Sequence, residues 1–391
     1  MMARAKHLAR IRTTAPPCVA RLWRVQLAVS LAAALSLLLF EGLSGAAAAS
    51  GTFLGGLATV SQVASTVPAN GDVNPYGIAV VPRTVGRLQK GDVLVSNFNN
   101  SANLQGLGST IVEISPSGGV TLFATIDPAS RAGKACGGVG LTTALAVLRS
   151  GWVVVGSLPT TDGTAATATA GCLFVLDAQG RVVRTITGGR INGPWDLTAL
   201  DGGDEATLFV TNVLNGTVAG MGSVVNRGTV VRIELGSLYG QTPQVQEETV
   251  IGSGFPERTD PAALVIGPTG VGLAGNGTLY VADTLGNRIA AIPNAADRSM
   301  TAGTGRDVTA NGALNGPLGL AIAPNGDILT VNSGDGNVVE TAPSGSQVAQ
   351  AVLDATGTPP GAGTLFGLAV APGGTSLYFV DDGSNTVNLL H

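Results

Sequence analysis

Side chains able to carry acid–base or nucleophilic chemistry are scarce in this sequence. Among 391 residues there are two histidines, and past the N-terminal region only His391 is left, so mechanisms built on a histidine base or acid lack their central group. No Gly-x-Ser-x-Gly elbow and no Gly-rich loop with a phosphate-binding Lys is present. The chemistry that remains is carried by Asx residues. Asp196 follows Trp195 and Asn192, and it stands where comparable segments carry Gly; its carboxylate can bind a metal, act as a base or cap a strand end. Asn97, Asn212, Asp283, Asn332 and Asp381 each close a short apolar run. Oxygen atoms converging from such positions suit a hard cation such as Ca2+ or another divalent metal, with Asp196, Asp283, Asn97 and Asn212 as the candidate ligands. Equally, each Asx side chain can bond the backbone of its own turn. A small polar ligand would draw on Trp195, Asp196, Asn192, Asn97 and Asn212. Cys136 and Cys172 form an even pair without metal-ligand spacing, which reads as a disulfide or as two buried thiols.

The charge distribution narrows the partners. The net charge is −4, but Arg4, Lys6, Arg10, Arg12, Arg21 and Arg24 all precede residue 50, so the remainder is more acidic than the whole. Such a surface repels phosphate backbones and anionic lipid, and nucleic acid is not expected as a partner. The basic stretch leads into an uncharged run, Val25 to Phe40, and then into the small residues Gly45 to Ser50. That order describes a secretory signal helix over residues 1–49. Cleavage releases the rest to a secreted or periplasmic location, whereas an uncleaved segment would tether it to the membrane. Sequons at Asn99, Asn215 and Asn276 matter only in a host that glycosylates exported proteins.

Glycine at 57 residues and charged residues at 12% argue against a coiled coil or a charge-driven disordered chain. A Pro- or Gly-marked lead-in followed by a short apolar run recurs six times, around Gly77, Gly140, Asp196, Gly270, Gly319 and Gly367. Behind each comes a second β-rich run closing on the polar corner, then a third run. Short β-branched runs bounded by Gly, Asn and Asp are strand signals, and no sustained helical period follows residue 50. Units of three or four antiparallel strands at this period are propeller blades, because one such sheet buries its faces only when neighbours stack around an axis. The expectation is an all-β, six-bladed β-propeller over residues 50–391. Its last blade lacks an outer strand, which Thr52 to Ser65 can supply by pairing the two ends of the chain.

The stretch Leu279-Tyr280-Val281-Ala282-Asp283-Thr284-Leu285-Gly286-Asn287-Arg288-Ile289 resembles the NHL repeat, and weaker versions run from Val331 to Val338 and from Val380 to Val387. The resemblance implies a six-bladed propeller. It leaves activity open, since propellers of this kind include binding scaffolds, lactonases and lyases. Lyase and paraoxonase-like members use His and are disfavoured here. Gluconolactonase-like or regucalcin-like members use a carboxylate and Asn residues on a divalent ion, which points again to Asp196, Asn97, Asn212 and Asp283. No Glu aligns on the first inner strand, where that family carries a ligand.

In an up-and-down blade the lead-ins and the polar corners share one rim. Long segments there, Phe98 to Ser109, Leu158 to Gly171 and Val213 to Gly228, form a crown over blades one to three and make that rim the expected working face. The leading expectation is an exported, non-enzymatic binding module for a protein, glycan or small polar ligand. The alternative is a divalent-metal-dependent lactonase or related hydrolase of the gluconolactonase type.

Overall fold

The computed structural model describes residues 51–391; the expected leader, residues 1–49, lies outside the described residues. The described chain forms six antiparallel sheets. Blade one comprises Val73–Val80, Val93–Asn99, Thr110–Ile114 and Val120–Thr125. Blade two comprises Leu141–Val147, Val153–Ser157, Cys172–Leu176 and Val182–Thr187. Blade three runs Pro194–Asp201, Ala206–Asn212, Val225–Gly236 and Gln244–Asp260, and adds a fifth short strand, Leu264–Ile266. Blades four and five are regular: Pro268–Leu273, Leu279–Asp283, Arg288–Ile292 and Arg306–Ala310, then Pro317–Ile322, Ile328–Asn332, Asn337–Thr341 and Gln347–Val352. Blade six takes three strands from the end of the chain, Leu365–Val370, Leu377–Asp381 and Thr386–Leu390, and its outer strand from Val60–Ser65. Val60 pairs with Leu390 and Ser65 with Thr386, which closes the ring as the sequence predicts. Among the described residues no helix is long and apolar enough to cross a membrane.

Each innermost strand bulges at its start. Between Pro75↔Asn97 and Ile78↔Val95 the inner strand spends one residue more than its partner, and blades three to six repeat this at Pro194, Pro268, Pro317 and Leu365. A bulge raises the local twist and turns side chains off the ladder. Here it brings neighbouring inner strands so close that a Cβ at Gly319 would overlap the Phe366 carbonyl, and one at Gly270 the Leu318 carbonyl. The recurrent glycine is therefore required by the approach of one blade to the next. Buried hydroxyls on second strands bridge the same seam: Ser96 donates to the Thr142 carbonyl at 2.8 Å, and Thr211 to the Thr269 carbonyl at 2.7 Å.

Blade two departs from the sequence reading. Leu141, paired with Ser157, occupies the place of Pro75, and the bulge spans Thr142 to Ala144 before pairing resumes at Leu145↔Val155. The lead-in is therefore displaced from Gly140, and Thr143 and Ala144 share the level that Gly77 holds in blade one. Between the blades the core is mostly Val, Leu and Ile, with Phe123, Phe174, Phe209, Phe255 and Phe379 fully buried.

Candidate functional site

The lead-in residues form two stacked layers around the axis. The upper layer is Tyr76, Thr142, Trp195, Thr269, Leu318 and Phe366, each next to the residue that pairs with a corner. Tyr76 stacks on Phe98 with centroids 4.4 Å apart and on Phe366 at 4.1 Å, while Trp195 tilts toward it at 6.1 Å. Blade three's added hairpin lays Ala263, Leu264 and Val265 over this cluster, and blade two contributes Leu158. The space left among them is about 10 Å³, room for no more than a single water. Leu264 is 2% exposed and Trp195 5%. The crown expected as an open working face is thus, over the axis, an apolar plug.

Below the plug the axis is open. A channel of about 320 Å³ runs from the second layer to the far rim, walled by Ile78, Leu145, Leu197, Val271, Leu320 and Leu368 among others. Val80, Val147, Ala199, Leu273 and Ile322 at its outer end are only half-buried, so ligands would come in from the side opposite the polar corners.

Two polar side chains stand at the inner end. Asp196 occupies the layer that Gly77, Gly270, Gly319 and Gly367 hold in other blades. Its carboxyl accepts Leu197 N–H at 2.8 Å and, across the blade seam, Val271 N–H at 3.0 Å. It is the only titratable side chain lining the channel. Burial pushes its pKa up to about 8 against the lowering effect of those two bonds, so the desolvation of the charge outweighs its hydrogen bonds. Thr143, on the adjacent blade and 4% exposed, lines the same channel, and its hydroxyl has no hydrogen-bond partner.

The other predicted residues lie on the corner rim, each held by its own surroundings. Asn97 donates to the Thr66 carbonyl at 3.0 Å and to Thr110 Oγ1 at 3.2 Å. Asn212 accepts Asn192 N–H at 3.2 Å, and the Asn192 amide donates to Asn215 Oδ1. Asp283 is 1% exposed, accepts Gly286 N–H at 3.0 Å and pairs with Arg288 at 2.8 Å. Burial raises its pKa, with the Gly286 bond and Arg288 opposing. Asp196 lines the channel, whereas Asp283, Asn97 and Asn212 stand at the corner rim. The carboxylates are engaged by backbone N–H groups and by Arg288, and among the described residues no three His, Cys, Asp or Glu side chains cluster in a metal-holding group. Cys136 and Cys172 are joined in a disulfide that ties the segment after blade one to the third strand of blade two.

Tyr76, Phe98, Phe366 and Thr143 were not singled out from sequence. The signal for the aromatics was present: in a chain with 4% aromatic residues, Tyr76, Trp195 and Phe366 fall at the same place in three lead-ins. Thr143 was hidden by the displaced alignment at Gly140.

No protein-family model and no curated protein matches the sequence. Solved structures do. A calcium-binding protein, regucalcin, from Agrobacterium tumefaciens is similar with a TM-score of 0.51 at 14% identity, over 84% of this chain and 93% of that one. A gluconolactonase from Xanthomonas campestris gives 0.50 at 14% identity over 83% and 88%, and a luciferin-regenerating enzyme 0.51 at 12% over 85% and 94%. At such identities the likeness establishes one thing: the chain shares the six-bladed β-propeller fold of these proteins.

Proposed function

We propose that this chain is an exported, NHL-like propeller whose axial channel takes up a small, largely apolar molecule from the far rim. One observation carries the reading: the channel is plugged at the corner rim, open at the other, lined by aliphatic side chains and the free backbone edges of the inner strands, and holds a single carboxylate at its inner end. Concave apolar sites with a few placed polar groups are the usual form of small-molecule pockets, and about 320 Å³ is at the lower end of their size. Export is supported by the leader-like residues 1–49 and agrees with the disulfide, which is at home in an oxidising compartment. A protein or glycan partner would meet the outer surface of the crown, since its underside is filled.

The reading is tested by a thermal-shift screen of small amphiphiles on the full chain, repeated with Ala199→Trp at the far rim. Ligands that stabilise the parent and not the variant support it. Ligands unaffected by the block place binding elsewhere and overturn it.

The names of the similar structures favour a second reading, a hydrolase of the gluconolactonase type, at least as well as a non-enzymatic module. Asp196 is then the carboxylate nearest a substrate in the channel. Lactone turnover that requires Ca2+ or another divalent ion and disappears in Asp196→Ala would establish it. Absence of turnover across a lactone panel with saturating divalent ion would remove it.

A further inference from the structure

The inner end of the channel holds an electrostatic imbalance that the fold does not resolve. Asp196 has two backbone N–H donors but no Lys, Arg or His beside it among the residues lining the channel, and Thr143, one blade away at the same level, offers a buried hydroxyl with no partner. Buried hydroxyls are nearly always bonded, and buried carboxylates are nearly always paired. The other lining side chains are mostly aliphatic, such as Leu145, Leu197, Val271 and Leu320, with Thr198 and the free backbone edges of the inner strands between them. At a comparable carboxylate on the corner rim, Asp283, the chain supplies its own cation in Arg288. In the channel it supplies none.

We infer that the subsite at Asp196 and Thr143 is built for the ammonium head of a primary alkylamine, with the alkyl body lying along the apolar wall toward the far rim. An ammonium group has three N–H donors and no acceptor, which suits the channel carboxylate and, after rotation of the Thr143 side chain out of its buried position, the unpartnered hydroxyl oxygen. A neutral alcohol would meet the same acceptors with one donor, and a carboxylate ligand would be repelled. The raised pKa of Asp196, about 8, adds a signature. The cation pairs with the ionised form, so binding displaces the Asp196 proton to solvent. The inference rests on the channel reading above, and it specifies the ligand's polar end.

The test is calorimetric titration of the full chain with n-hexylammonium, n-hexanol and hexanoate between pH 6 and 9. Alkylammonium should bind and hexanoate should not. The apparent affinity should rise about tenfold per pH unit below pH 8 and level off above it, as the ionised fraction of Asp196 does, because the amine itself stays charged to about pH 10. Heats measured in buffers of different ionisation enthalpy should report close to one proton released at pH 7. Asp196→Asn should weaken alkylammonium by about a hundredfold at pH 8 and erase the pH dependence, in line with breaking a buried charge pair. Thr143→Val, which keeps the side-chain volume, should weaken it about fivefold, as for one lost hydrogen bond. If Asp196→Asn does not fold, the wild-type pH profile and Thr143→Val decide the matter. Hexanol binding as tightly as hexylammonium, with a flat pH profile, overturns the ammonium subsite and leaves the channel standing. Binding of any probe that survives Ala199→Trp overturns the channel itself.

Discussion

Blades four to six and blades one to three share one strand plan but treat the corner rim differently. In the later blades tight turns join the second and third strands, and the corner residues are pinned locally: Asp283 by Gly286 and Arg288, Asn332 by Asn315 and Asp335, Asp381 by Ser384. In the earlier blades the corners open into long segments. Those segments carry apolar side chains inward, and with the hairpin after Gln244–Asp260 they seal the axis above Tyr76 and Trp195. A repeat therefore fixes how a blade is built and how it meets its neighbour, while loop insertions decide which end of the channel admits a ligand. The half with the longest loops is the one that looks functional from its sequence. Over the axis those loops close the site.

The comparison can be broken or sharpened by mutation. Gly319→Ala attacks the regular half at its seam, where a Cβ would overlap the Phe366 carbonyl; backbone against backbone leaves little room to adjust, and a loss above about 3 kcal/mol in urea unfolding is expected. Removing the disulfide by Cys136→Ser with Cys172→Ser opens a tie between residues 36 positions apart, and should lower stability by about 3 kcal/mol. Its unfolding should be detected earliest around blades one and two by hydrogen exchange. Leu264→Ala truncates the buried plug and should lower stability by about 2 kcal/mol. In the same variant Trp195 fluorescence should become quenchable by acrylamide; an unchanged Trp195 would mean that Leu264 does not seal the mouth.

Stability should also depend on pH. Asp196 is held at about 8, above the ordinary carboxylate range near 4. Below that range both folded and unfolded chains carry the proton and no differential exists. As pH rises from about 4 toward 8 the unfolded chain ionises first, so stability falls across this window and levels off above it. Glu257 and Asp382, each raised to about 7 with burial as the main cause, act in the same direction. Asp196→Asn should therefore unfold with a flatter profile between pH 5 and 8. A variant as steep as the parent would show that Asp196 is ionised in the native channel.

The blade number, the lead-ins and the ring closure were legible because glycine marks the seam between blades and the Asx corners mark strand ends. In the inner strand of blade two the corresponding place is filled by Thr143 and Ala144, so no glycine marks it in the sequence. The plug was not legible, since Tyr76, Trp195, Leu264 and Phe366 are far apart in the chain and meet only when the ring closes. Leu264 also takes a left-handed backbone, φ 62, which a leucine does not advertise. Asp196 was picked out by its departure from the glycine pattern, and that departure placed it on the channel. A convergence with Asn97, Asn212 and Asp283 cannot be read from sequence, because a recurring Asx looks the same there whether it binds an ion or its own turn.

Blade six imposes an order of assembly. Val60–Ser65 precedes every other described strand, yet its partner, Thr386–Leu390, is the last of them, and Ser61 meets His391 across 330 positions. The ring cannot be finished in synthesis order, and its first strand must wait unpaired while five blades form. Contacts of such span make for slow folding and a long exposure of unpaired edges. Production of this protein should therefore be limited by the escort of its early strand more than by the stability of the finished molecule.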